Sequence, residues 1–544
     1  MKSAAEFLAT GNKFQLGFLE TEKPHPKTMR LSDLAVSNLT LAISVLADVD
    51  YDALEKLKSH ADEILTLKKA IQKTFTGGGR VFLCGCGATG RLSLLLESLY
   101  RESCKDAKFD DRVVAFMAGG DVALVHSLEG FEDYPDYGKR HLLQLGFSNN
   151  DMLIAITEGG ETPYVIGAVE AAAELSRDQH RPYFVYCNPD NILKEHVERS
   201  RKVLENSKIL KINLTVGPMA ITGSTRMQAS TVLQLAVGFA LLQVEHFKNE
   251  SQADHESEID KSHIISQLTW LQKYMRDQAV NFLSPFIEQE SFEYLNNKYI
   301  LYLVKDYALT VFTDTTERAP TFSLTPFSHR EAHKLLALQP SKCFIQIAGA
   351  NSPSEAWELM LKRKPRSLDW RDIDERTNSH YLEQFDFANG AMKFRNWLTQ
   401  GAEHSEFQIF REIDSKNESK KLVWEFKGVR RNVELPNQKT FQMTGSQSLL
   451  FENTLLKMLI NIQSTLVMGR LGRYKRNMMT WVFPTNGKLI DRATRYIKTL
   501  LNEDGIEIKY DDVVNALFET KAKIDGNESI VLATYEELKR VSRV

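Results

Sequence analysis

One pattern constrains this chain more than any other: an apolar strand, a glycine-bearing turn and a helix, in that order, met several times in succession. Val81-Phe82-Leu83-Cys84 leads into Gly85-Cys86-Gly87-Ala88-Thr89-Gly90 and then a leucine-rich helix through Leu92, Leu95, Leu96 and Leu99. Val113–Met117 leads to Ala118-Gly119-Gly120, Met152–Ile156 to Thr157-Glu158-Gly159-Gly160-Glu161-Thr162-Pro163, and Pro182–Cys187 to Asn188-Pro189-Asp190. Short apolar runs bounded by turn residues read as buried strands, and strands alternating with helices predict a parallel sheet covered on both faces.

Around this unit the chain divides further. Residues 31–75 repeat apolar positions at three- and four-residue steps and predict helices before the Gly77-Gly78-Gly79 break. Residues 247–263 are charged, with Ile259 their lone aliphatic residue, and read as a linker. A second α/β pattern follows, with strand-like Tyr299–Val304 and Cys343–Ala348 and a long helix from Ser448 to Leu471. The expected organisation is a helical segment (1–75), an α/β domain (76–246), the linker (247–263), a degenerate α/β domain (264–495) and a helical region (496–544). At 544 residues a single core would be unusually large, so at least two are expected.

Charge and cysteine usage exclude several classes. With 68 basic and 71 acidic residues the net charge is −3, and nothing calls for nucleic acid. No run of about 20 residues is both apolar and uncharged, so no membrane span is predicted. The N-terminal Met1–Glu6 lacks a signal-like apolar stretch. Five cysteines at irregular spacing give neither a disulfide framework nor a zinc pattern, and a reducing cytoplasm fits best.

Four loops carry groups that chemistry requires. At Gly85–Gly90, glycine lets the backbone turn tightly against a ligand, and the helix start offers N–H groups suited to phosphate; Gly87, Thr89 and Gly90 are the expected contacts. The spacing also fits a dinucleotide fingerprint, but the next strand runs into Ala118-Gly119-Gly120 with no acid for a ribose, so no nucleotide cofactor is expected. Thr222-Gly223-Ser224-Thr225-Arg226-Met227 reads either as helix capping or as a second anion site through Ser224 and Thr225. In Thr157–Thr162 the acids Glu158 and Glu161 would repel phosphate, so Thr157 and Glu161 suit sugar hydroxyls or a cation, with a solvated rim as the alternative. Leu128-Glu129-Gly130-Phe131-Glu132-Asp133 offers either a helix end facing water or a carboxylate that grips hydroxyls or moves a proton.

These segments, in this order and together with Thr162-Pro163-Tyr164-Val165-Ile166-Gly167, resemble the sugar isomerase (SIS) domain of the N-acetylmuramic acid 6-phosphate etherases over residues 15–245, Thr21-Glu22 and Pro26 included. In the second half, Ser464-Thr465, Gly469–Arg473 and Pro484–Leu489 resemble a further SIS domain. The whole layout is similar to the glucokinase regulatory proteins, which bind sugar phosphates without turning them over. The resemblance implies an α/β fold of two SIS-type, doubly wound parallel-sheet (flavodoxin-like) domains with a small helical C-terminal region. It implies a ligand such as a hexose or amino-sugar 6-phosphate, and by analogy a sugar-kinase partner. It also implies a monomer that is an internal pseudo-dimer, or a homodimer.

The etherase resemblance implies two catalytic glutamates. One falls on Glu132. The other falls on Leu99, with Glu97 two positions away and about 200° around the helix. Gln228 stands for the family's lysine, and Gly159-Gly160-Glu161 for its Ser-Gly-Arg. The second half's first strand ends in Lys305-Asp306-Tyr307 without glycine, so one ligand site per chain is expected, at the interface of the halves. Lys488 would reach into it from the second half. The expected function is cytoplasmic sugar-phosphate sensing, with an etherase-like lyase or a sugar-phosphate isomerase, using Glu132 and Glu97, as the alternative.

Overall fold

The computed structural model describes residues 3–11, 14–104, 111–128, 130–242, 260–324, 343–388, 404–413, 420–430, 433–443, 448–524 and 528–542. Glu129 and most of the expected linker lie outside them. The linker's last residues, 261–263, open the helix Lys261–Tyr274.

The first sheet contains β1 (Val81–Gly85), β2 (Val113–Met117), β3 (Met152–Ile156), β4 (Tyr183–Tyr186) and β5 (Leu210–Asn213). Its order is β2-β1-β3-β4-β5 and every pairing is parallel. That is the doubly wound order of flavodoxin-like folds. β1 to β4 are buried at every position, as strands covered on both faces must be. β5 is short and only partly buried, and its polar Lys211 and Asn213 interrupt the apolar signal the other four carry. In this order the connections leave β1 on opposite sides, so the carboxyl ends of β1 and β3 flank the crevice where such folds bind ligands.

The second sheet contains β6 (Tyr299–Val304), β7 (Cys343–Ile347), β8 (His404–Ile413), β9 (Lys420–Arg430) and β10 (Val433–Met443), in the order β10-β9-β8-β6-β7. β6 pairs in parallel with β7 and β8, whereas β8-β9-β10 run antiparallel. This half is therefore doubly wound only in part. Alternation in Glu406-Phe407-Gln408-Ile409 is the signal for β8, a period-two pattern with one buried face.

The halves do not have separate cores. Their buried apolar residues form one continuous cluster, contrary to the expectation of two. The cause is two long helices, Gln228–Leu242 and Leu449–Arg470, which pack on one another and are buried nearly all round. Corresponding elements meet: the helix after β1, Ala88–Ser103, packs on the helix after β6, Ala308–Thr315. The N-terminal helix Leu39–Lys58 packs on helices of both halves. The expected boundary at 495/496 falls inside the helix Gly487–Glu503, so that element does not divide there. The helices Tyr510–Lys523 and Ile530–Val541 pack against it. No helix of the described residues is long and apolar enough to cross a membrane.

Candidate functional site: a cavity between the halves

The turn after β1 shows why three glycines recur there. A Cβ at Gly85 would collide with the Thr89 backbone, and one at Gly90 would lie 2.5 Å from Met117 Cβ. Both glycines therefore serve close helix–strand packing. Gly87 differs: its φ of 54° suits only glycine, and it opens the helix Ala88–Ser103 without a side-chain cap. Gly87 and Ala88 line a cavity of about 130 Å³, and Gly90 does not.

Thr89 is not free for a ligand either. Its hydroxyl accepts from the Cys86 N–H at 3.0 Å and donates to the Cys86 carbonyl at 2.8 Å, closing the turn on itself. Thr157 is likewise committed, since it bonds the Thr162 hydroxyl at 3.1 Å and accepts from the Gly160 N–H. Thr162, not Thr157, reaches the cavity wall.

Ser224 and Thr225 do line the cavity. Ser224 is 2% exposed and its Oγ has no hydrogen-bond partner. Arg226 also borders the cavity, but its guanidinium pairs with Asp314 and donates to Ser464 and Thr465, at 3.3 Å each. The arginine therefore locks the halves together. The loop before it is clamped too: Tyr496 donates to the Thr222 carbonyl at 2.6 Å. A Cβ at Gly223 would meet the Arg492 guanidinium and the Glu22 carboxylate. Burial raises the Glu22 carboxyl, but Arg492 and Arg495 outweigh it and hold the group at about 2.

The second half supplies the rest of the wall. Asn486 caps the helix Gly487–Glu503 by accepting from the Leu489 N–H. Its Nδ2 donates to Glu132 Oε1 at 2.8 Å. Cys86 Sγ lies 3.5 Å from the other Glu132 oxygen. Lys488 lines the cavity with its ammonium 3.6 Å from Glu161. Burial lowers the lysine, but Glu161 and Glu132 more than offset this and keep it protonated. Glu161, raised by burial but lowered more by Lys488 and Arg199, stays ionised; it does not line the cavity and instead orients Lys488. Glu317, which no motif announces, pairs with Arg91 and brings Oε1 to 3.6 Å from where a Gly87 Cβ would stand. Only the packing of the Ala308–Thr315 helix against the helix after β1 reveals it.

Glu158 is the second residue whose weight the sequence understates. It is 8% exposed, lines the cavity, and has an Oε1 with no hydrogen-bond partner. Burial pushes its carboxyl up to about 7, against the pull of Lys488.

Glu97 lies elsewhere. It is 1% exposed and bonded to Arg363 at 3.0 Å and Arg366 at 2.8 Å, both from the second half, with Arg101 at 3.4 Å. Three guanidiniums around one carboxylate make an interface clasp, and Glu97 does not line the cavity where its expected catalytic role would place it. Leu99 is core. Of the expected contacts the cavity thus gathers Gly87, Glu132, Ser224, Thr225 and Lys488, while Thr89, Gly90, Thr157 and Glu161 shape the loops behind it.

The family described as the glucokinase regulatory protein N-terminal SIS domain matches residues 63–173. An N-acetylmuramic acid 6-phosphate etherase of Francisella philomiragia is 28% identical over 217 residues, 40% of this chain and 67% of its own length. That of Prochlorococcus marinus is 32% identical over 222 residues, 41% of this chain and 64% of its own. That of Actinobacillus pleuropneumoniae is 31% identical over 219 residues, covering 40% and 65%. A solved candidate phosphosugar isomerase from Clostridium difficile aligns over 51% of this chain and 66% of its own, at 12% identity and a TM-score of 0.31, too weak a likeness to add to the strand order. Residues 63–173 thus match the N-terminal SIS domain of glucokinase regulatory protein, and the first half of this chain is similar to the N-acetylmuramic acid 6-phosphate etherases.

Proposed function

We propose that this protein is a cytoplasmic sensor that binds a hexose or amino-sugar 6-phosphate in the cavity between its halves. The observation that carries this reading is the buried, unpartnered Ser224 hydroxyl in a cavity walled by both halves. A buried polar atom without a partner calls for a ligand or water. A phosphate there would accept from Ser224 and Thr225, lie near the uncapped helix start at Gly87, and meet the Lys488 ammonium. These are charge-assisted bonds of the stronger kind. Glu132 would accept from sugar hydroxyls. Because both halves line the site, a ligand that prefers one relative position of the halves shifts the population toward it, which is how occupancy would reach a partner surface. The partner, by analogy with the regulatory proteins, would be a sugar kinase, and the unit an internal pseudo-dimer.

The enzymatic reading, an etherase-like lyase or a sugar-phosphate isomerase with Glu132 as base, is favoured by the identity to the etherases. Against it, Leu99 carries no acid and Glu97 is held by arginines away from the cavity. The test is a thermal-shift screen of the whole chain against N-acetylmuramic acid 6-phosphate, fructose 6-phosphate and glucosamine 6-phosphate, with assays for released lactate and converted sugar. A ligand at 100 times its Kd adds about 2.7 kcal/mol. A shift without product is the expected result. Turnover that Glu132→Gln abolishes would replace the sensor with the enzyme.

A further inference from the structure

Two oxygens of the cavity wall are buried without partners, Ser224 Oγ and Glu158 Oε1, and they ask for opposite things. A hydroxyl can donate to an anion. An ionised carboxylate can only accept. One ligand that satisfies both must bring an acceptor to one place and a donor to the other.

The cations nearby are engaged in ion pairs or hydrogen bonds, although Arg226 Nε has no hydrogen-bond partner. Arg91 is paired with Glu317, Arg226 with Asp314, Arg492 with Glu22, and Lys488 faces Glu161. Lys457, which also acts on Glu158, donates to the Arg226 and Met227 carbonyls and to Thr231 and Asn461. The remaining titratable neighbours, Glu317, Cys187 and Cys86, disfavour a charge on Glu158 or are disfavoured by it. A sugar hydroxyl would give Glu158 a hydrogen bond but leave a buried charge uncompensated. An ammonium would supply both the bond and the charge.

We propose that Glu158 selects a sugar phosphate bearing a free amine, its carboxylate receiving the ligand's ammonium while the phosphate lies toward Ser224. This rests on the sugar-phosphate reading of the cavity and adds the class of sugar to it. With Glu158 ionised, a zwitterionic ligand meets the charge and hydrogen-bond needs at both ends. With its carboxyl near 7, Glu158 is about half protonated at pH 7 in the empty site, and an arriving ammonium drives the proton off.

The test is calorimetry of the full chain with glucosamine 6-phosphate and glucose 6-phosphate, which differ by an amine for a hydroxyl at one carbon. At pH 7 the amine ligand is expected to bind at least tenfold tighter. Run in two buffers of different ionisation enthalpy, it is expected to release about half a proton more than glucose 6-phosphate does. Glu158→Gln is expected to erase the tenfold preference, bringing the affinities for the two ligands to within about threefold of each other. N-acetylglucosamine 6-phosphate, which keeps the nitrogen but not its charge, is expected to group with glucose 6-phosphate. Equal affinities, or a preference that survives in Glu158→Gln, would overturn the selection and leave the sugar-phosphate site intact. Failure of the wild-type protein to bind any of the three at millimolar concentration would overturn the site itself. Should the variant not fold, the difference in proton release between the two ligands on the wild-type protein decides alone.

Discussion

At the scale of single residues, neighbours in one motif have separated roles. In the first glycine turn, Gly85 and Gly90 allow close packing, Thr89 ties the turn, and Gly87 faces the cavity. Burial without partners marks Ser224 and Glu158 as residues awaiting something. Glu158 also leaves a signature in the free protein. Its folded carboxyl, at about 7, lies above the ordinary value of 4.5, so the folded state holds this proton more tightly than the unfolded chain does. Its contribution is fully present below about 4.5 and is lost as pH rises toward 7. Ligand-free Glu158→Gln, which lacks that loss, is expected to match the wild type in urea unfolding at pH 5 and exceed it at pH 8, by on the order of 2 kcal/mol. A constant difference across that range would mean the carboxyl is not perturbed. The motifs in the sequence bring Gly87, Glu132, Ser224 and Thr225 to attention because their residue types stand at turns, whereas Lys488, inside the helix Gly487–Glu503, comes to attention only through the resemblance to the glucokinase regulatory proteins. Glu317 escapes, since it lies in the turn between the helices Ala308–Thr315 and Arg318–Phe322, without a motif, and reaches the site only through packing between the halves. Glu97 misleads because its three arginine partners, two of them more than 260 positions away, are invisible in sequence.

At the scale of elements, β1 to β4, β6 and β7 are legible because buried parallel strands are short continuous apolar runs. β8, β9 and β10 are less so, since their charges obscure the alternation, and β5 is interrupted by polar residues. What sequence periodicity cannot convey is how helices are joined. The helix Ala308–Thr315 carries Asp314, which pairs with Arg226 of the first half and, at 2.9 Å, with Arg318. It also accepts from Asn461 and Ser464. Burial raises this carboxyl, but Arg226 and Arg318 outweigh it and hold it below the usual range. Asp314→Ala would leave two guanidiniums buried with less compensation. The expected loss is about 3–5 kcal/mol in urea unfolding, with the halves losing structure together. A loss below about 1 kcal/mol would show that the contact between helix and loop is not held by this ion pair.

At the scale of the whole molecule, the chain is two α/β halves around one core. The long helices Gln228–Leu242 and Leu449–Arg470 form its centre, and the cavity described above opens between the halves. The two-half layout is readable from the repeated strand–turn–helix order. The merging of the cores is not, because it depends on which faces of those two helices meet. The account's central claim is that both halves hold one sugar phosphate. The most direct measurement is calorimetric titration of glucosamine 6-phosphate into the wild-type chain, Ser224→Ala from the first half and Lys488→Ala from the second. The account predicts one site per chain and an affinity at least about tenfold weaker in each variant, the consequence of losing a charge-assisted hydrogen bond. Wild-type affinity in either variant, with the ligand still bound at one site, would contradict it.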